Sequence, residues 1–204
     1  MVIFMVENVF SNIFDVKKDF EFFRKEYFDE QNLREELIKK SRGIVVLSKK
    51  VIYNVHRKDF SSAESFLSAL NSKVFSFVDS FKKNNVSFEK FGFFKTTIQE
   101  YVEAKSFFEF VKNKRLLLKE EFYDFEVYLL GLLDFSGEVL RIAVNNAVSD
   151  KDFFLFCYNT IIFLYDEFML FDFSNSVLRK KFDSLKYVVK KLEDIKLELD
   201  LKEC

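Results

Sequence analysis

Residues Ile98–Val111 read IQEYVEAKSFFEFV, and the kind of chain around them follows from this stretch. Neither Pro nor Gly interrupts it, so it reads as helix. Residues three apart on a helix share a face, so Glu100 and Glu103 point the same way. At about 100° per residue, that face also carries Phe93, Thr96, Ala104, Phe107 and Val111. Two carboxylates therefore stand in a mostly apolar stripe, where each costs several kcal/mol unless it is paired or ligates a metal. The plainer alternative is a solvated Glu pair on a surface helix.

Towards the C-terminus, a helical pattern from about 122 to 148 places Asp134 and Glu138 four residues apart on one face. Tyr123, Val127, Leu130, Gly131, Arg141 and Asn145 share that stripe. Gly131 and Gly137 fall mid-helix, each at roughly 1 kcal/mol against Ala, which points to close approach by another helix or a ligand. Arg141 also offers Glu138 a salt bridge within the helix. Ser149 with Asp152 reads as the cap of a helix over about 150–172, apolar nearly all round, which predicts full burial in the core or a subunit interface. A last helix, from Ser174 or Asn175 to about Leu201, carries a basic cluster that includes Arg179, Lys180, Lys181 and Lys186.

Towards the N-terminus, Ser87 reads as the cap of the Glu-bearing helix (about 88–113), and Ser61 with Glu64 as a capping box opening a helix over about 62–83. Asp15 reads as the cap of a helix running to about Arg57. Forty residues of helix span roughly 60 Å, the length of a bundle or oligomer element. Arg42, Lys49 and His56 recur along it every seven residues, with Arg57 beside the last. They form either a solvated basic edge or a row of donors tracking a phosphate backbone. No strand pattern or linker interrupts the 204 residues. The expectation is an all-α bundle of about six or seven helices with a long first helix, a single domain over 1–204.

Composition removes several chemistries. His56 is the only His, and Cys157 and Cys204 are the only Cys, which excludes a Cys/His zinc site, a disulfide scaffold and a Ser-His-Asp triad. Cys157 lies in an apolar run and reads as an inert packed thiol. Glycine-rich phosphate loops are absent. Net charge is −1, so any nucleic-acid site must be a local basic patch. The opening MVIFMVENVF is a poor signal peptide, and no uncharged apolar run is long enough for a membrane span. A soluble, cytoplasmic protein without a membrane partner is expected.

Glu100, Glu103, Asp134 and Glu138 are spaced to face inward from two neighbouring helices. Four oxygen donors without His or Cys suit hard cations, Mg²⁺ or in its place Mn²⁺. Cations held by carboxylates typically serve phosphodiester chemistry. A di-iron bundle would use Glu-x-x-His motifs, and a glycosidase acid pair would leave two acids and the basic row unexplained.

The blocks EEL-x₃-SRGIV-x₂-SKKVIY-x₂-HR, QEYVEA-x-SF, YLLG-x₂-D-x-SGE-x₂-R-x₂-VN and LRKKFDSLKY-x-VKKLE occur in that order. Together, over about residues 33–197, they resemble the translin superfamily, with the two acid-bearing blocks closer to its Trax branch. The resemblance implies that Glu100, Glu103 and Asp134 are catalytic acids of a Mg²⁺-dependent endoribonuclease and that Glu138 is an additional metal ligand. It implies single-stranded RNA, with single-stranded DNA a second possibility, as partner of Arg42, Lys49, His56 and Arg57. It further implies a hollow helical homo-oligomer, with an octamer favoured. A translin-like RNA- or DNA-binding protein without catalysis is the alternative within the same superfamily. The chain departs from the pattern at Lys58, where Gly is expected before the acid, and at Lys105, where a small or apolar residue is expected. It also lacks the long insertion of eukaryotic Trax between the third and fourth helices, which suggests a minimal chain carrying both roles.

Overall fold

The computed structural model describes residues 2–120, 122–174 and 176–201, with side chains from residue 15 onward. Six helices and no strand are found among them: α1 (Val2–His56), α2 (Phe60–Lys83), α3 (Phe93–Asn113), α4 (Phe125–Asn146), α5 (Lys151–Met169) and α6 (Val177–Leu201). Contacts divide the chain into two compact units, Met1–Lys40 and Ser41–Cys204. The first unit is helical and strongly aromatic, with edge-on ring pairs Phe22–Phe23 and Tyr27–Phe28.

The second unit is built around α4, which packs against α3, α5 and α6, while α2 packs on α3. Phe fills the space between these helices, where long flat rings satisfy large gaps by edge and offset contacts. Phe77, Phe81 and Phe94 join α2 to α3, and Phe110 bridges Phe135 of α4 and Phe156 of α5. Tyr165 and Phe168 of α5 stack on Phe182 of α6. The part of α1 from Ser41 is tied to α3 by a buried hydroxyl pair, Ser41 Oγ and Thr97 Oγ1, 2.7 Å apart.

Helix starts differ from the sequence expectation in a consistent way. Asp59, Asp124 and Asp150 cap α2, α4 and α5, each carboxylate accepting from a backbone N–H three residues on. Asp holds the helix N-terminus by hydrogen bond and by charge on the dipole, so it outcompetes the nearby Ser61 and Ser149. Ser87 caps only a short turn, its Oγ accepting from the Glu89 N–H at 3.3 Å, and α3 begins later, after Gly92. Asp15 lies inside α1 and accepts from Lys18 Nζ at 3.3 Å, because nothing before it breaks the helix. At the start of α6, Ser176 rather than Ser174 receives the N–H of Arg179; Asn175 lies outside the described residues. The α5 helix buries one stripe (Phe154, Cys157, Ile161, Leu164, Phe168) and not its whole circumference: Phe163 remains 51% exposed. Two neighbours, α4 and α6, cover only part of it.

Both departures noted above are accommodated locally. Lys58 has φ +59°, the left-handed conformation that favours Gly, and its Nζ donates to Asn146 Oδ1 at 3.1 Å. Lys105 donates to Glu120 Oε1 at 2.6 Å and to Tyr101 Oη at 2.9 Å, closing a polar knot that also holds Asn71.

Candidate functional site

Tight packing of α3 on α4 creates the site. A Cβ on Gly131 would stand 2.5 Å from Val102 Cγ1 and 3.2 Å from the Gln99 carbonyl oxygen, so only Gly admits this approach. Nothing lies within 4 Å of a Cβ on Gly137, so that glycine serves no comparable contact. With the helices this close, Glu100 and Glu103 of α3 face Asp134 and Glu138 of α4. Glu100, Glu103 and Glu138 line a cleft of about 330 Å³ together with Lys49, Ile52 and Tyr53 of α1 and Arg141 of α4.

Electrostatics show how crowded the charge is. Burial, then repulsion from Asp134, Glu100 and Glu138, pushes the Glu103 carboxyl up to about 8. Burial also raises Glu100, against the pull of Lys49 and Lys181. Asp134 is held by two neighbours: Gln99 Nε2 donates to one oxygen and Lys181 Nζ to the other. Glu138 shares a hydrogen bond with His56 Nε2 and lies 3.7 Å from Arg141, the intrahelical pair read from the sequence.

Of the four basic residues expected to contact nucleic acid, Arg42, Lys49 and Arg57 are exposed and Lys49 lines the cleft. His56 does not share their setting. It turns inward, packs its ring 4.7 Å from Phe107 and leaves Nδ1 buried without a partner. Neither Arg42 nor Arg57 is among the residues lining the cleft. Sequence reading missed Lys181 and Gln99. Lys181 is placed by the buried α6 stripe Leu178, Phe182 and Leu185, on whose border it sits. That periodicity separates it from the solvated lysines around it. Cys157 is fully buried and its thiol is pushed up to about 12 by burial, as an inert core cysteine requires.

The donor set suits a hard divalent cation: four carboxylates, no sulfur, and Glu103 raised by burial and by the neighbouring acids, a repulsion that a bound cation would relieve. In the arrangement shown, no three acid, His or Cys side chains among the described residues converge on one point. Asp134 is turned to Lys181 and Gln99, and Glu138 to His56. No helix among the described residues is long and apolar enough to cross a membrane.

Comparison with known proteins places the chain. The translin family model matches residues 32–203. A translin-associated protein X homologue of Schizosaccharomyces pombe is 29% identical over 147 residues, 64% of this chain and 63% of that protein. Translin of Gallus gallus is 36% identical over 80 residues, 39% of this chain and 35% of its own length. The chain thus spans under two thirds of the length of each relative. The crystal structure of apo-NeC3PO superposes with TM-score 0.78 at 26% identity, covering 87% of this chain and 95% of that one. A complex of AfC3PO with duplex RNA shares the fold, with TM-score 0.81 at 21% identity over 89% and 96% of the two chains. With its helical order, its acid-bearing α3 and α4 and a family match over nearly its whole length, the chain belongs to the translin family.

Proposed function

We propose that this chain is a metal-dependent endoribonuclease that cleaves single-stranded RNA within a homo-oligomer. The observation that carries the reading is the acid cluster itself: Glu100, Glu103 and Glu138 line one cleft, with Asp134 close enough to help raise Glu103 to about 8. A structural ion-pair network would pair each acid with a base, whereas the charges acting most strongly on Glu103 are three other acids, only partly offset by Lys181. Glu100, Glu103 and Asp134 act as the catalytic acids, with Glu138 completing the ligand set for Mg²⁺ or Mn²⁺. The bound divalent cation supplies Lewis-acid charge and activates water, the chemistry that phosphodiester hydrolysis needs.

The chain's own residues supply the rest. Lys49 and Arg141 rim the acids, with Arg57 next along α1 beyond Tyr53, and hold RNA phosphates that would otherwise be repelled. Arg42 extends that row along α1. His56 holds Glu138, and Gln99 with Lys181 hold Asp134, so both acids of α4 have an orienting neighbour. Related structures carry the C3PO name, and one of them is a complex with duplex RNA. Self-association is supported by Phe20, Phe22, Phe23, Tyr27 and Phe28, all 57–61% exposed, a larger aromatic display than a lone soluble chain keeps; an octamer is the assembly proposed.

The test uses circular single-stranded RNA, which has no end for an exonuclease. Linearisation in Mg²⁺ and none in EDTA is expected; persistence of the circle under every divalent cation would reject the activity. A second reading, a translin-like RNA- or DNA-binding protein without catalysis, is favoured by one observation: Asp134 and Glu138 are already engaged by Lys181 and His56. It predicts metal-independent binding of the circle and no cleavage.

A further inference from the structure

Lys49, Tyr53 and Arg57 lie four residues apart on α1, so one stripe of the helix carries cation, aromatic ring and cation in turn. Tyr53 is 58% exposed, and of the exposed large apolar side chains described it alone lines the acid cleft. Its neighbour Ile52 is buried, which fixes the helix face and turns the ring outward beside the carboxylates. The Arg57 guanidinium lies over the ring, 5.5 Å from its centre, and Nη1 donates to the Tyr53 hydroxyl at 3.2 Å. The ring is thus held in place at a solvent-facing rim, between two cations and above a cluster of acids. An aromatic face interleaved with cations is what an unpaired nucleotide requires: the base stacks while flanking phosphates meet the charges.

We propose that Tyr53 is a base-stacking residue that seats one unpaired nucleotide at the mouth of the cleft. Lys49 and Arg57 take the phosphates on either side of that base. The seated nucleotide sets the neighbouring phosphodiester over Glu100 and Glu103, a consequence that rests on the nuclease reading; the stacking itself does not. Selection of single strands over duplex follows, because a paired base has no free face to offer.

The experiment uses the full chain in EDTA, with a single-stranded oligoribonucleotide carrying 2-aminopurine as probe and a duplex of the same sequence beside it. Wild type and Tyr53→Phe should quench the probe and bind the single strand alike. Tyr53→Ala should lose the quench and bind about ten-fold or more weakly. The duplex should show neither quench nor dependence on residue 53. The Phe variant separates stacking from the Arg57 hydrogen bond, since it keeps the ring and removes the hydroxyl. Equal binding and quench by Tyr53→Ala, loss of both by Tyr53→Phe, or no binding of the single strand by wild type would each overturn the proposal. A Tyr53-dependent quench without cleavage in Mg²⁺ would leave the stacking site standing and remove the nuclease reading. Cleavage with a Tyr53-independent affinity would do the reverse.

Discussion

Glu103 concentrates the chemistry of the site in one side chain. Its carboxyl is raised from the ordinary 4.5 to about 8, first by burial and then by Asp134, Glu100 and Glu138. The folded chain therefore keeps a proton over this window that the unfolded chain releases. Metal-free stability falls as pH rises from about 4.5 towards about 8. The slope is at most about 1.4 kcal/mol per pH unit. Glu103→Gln should flatten that profile and raise stability at pH 8 by on the order of 2 kcal/mol. Denaturant titrations from pH 5 to 8 check this, and a parallel profile for wild type and variant would contradict it. The carboxylate pair was legible in the sequence, because its spacing and apolar stripe are local properties of one helix. Lys181 on Asp134 was not: the α6 periodicity sets Lys181 at the border of the buried stripe, but which acid it meets depends on how α6 packs on α4.

At the scale of the elements, two glycines of one helix separate packing from propensity. Gly131 faces Val102 at a distance no Cβ tolerates, while Gly137 faces open space. Gly131→Ala should force α3 and α4 apart and destabilise by about 1–3 kcal/mol, disturbing the acid cluster with it. Gly137→Ala should stabilise by up to about 1 kcal/mol, because neither glycine has positive φ and Ala is the better helix former. Thermal unfolding of the two variants should shift in opposite directions; a shift of the same sign would mean the close approach is misassigned. Both glycines carried the same signal in sequence, which shows what periodicity cannot resolve: whether anything stands opposite. Helix order and type were readable throughout from apolar repeats and the missing prolines. Helix starts were less so, since Ser61, Ser149 and Ser87 compete with Asp59, Asp150 and Gly92 within a few residues, and capping geometry decides between them.

At the scale of the whole molecule, the aromatic first unit and the acid cleft of the second belong to one account. Phe20, Phe23 and Tyr27 lie three and four residues apart and form an exposed stripe along α1. Replacing Phe20 and Phe23 with Asp should shift the protein from oligomer to smaller species in light scattering, while circular dichroism keeps its helical signal. An unchanged mass would remove these rings from the interface. RNA cleavage should fall with assembly if a closed interior concentrates the strand.

The most direct test of the acid cluster is cleavage of labelled single-stranded RNA by wild type, Glu103→Ala and Asp134→Ala, with RNA binding measured in parallel in EDTA. Cleavage is expected by wild type in Mg²⁺ alone, with a loss of roughly a thousand-fold or more in both variants and undiminished binding by all three. Cleavage that survives both substitutions, or binding without cleavage by the wild type, would contradict this expectation.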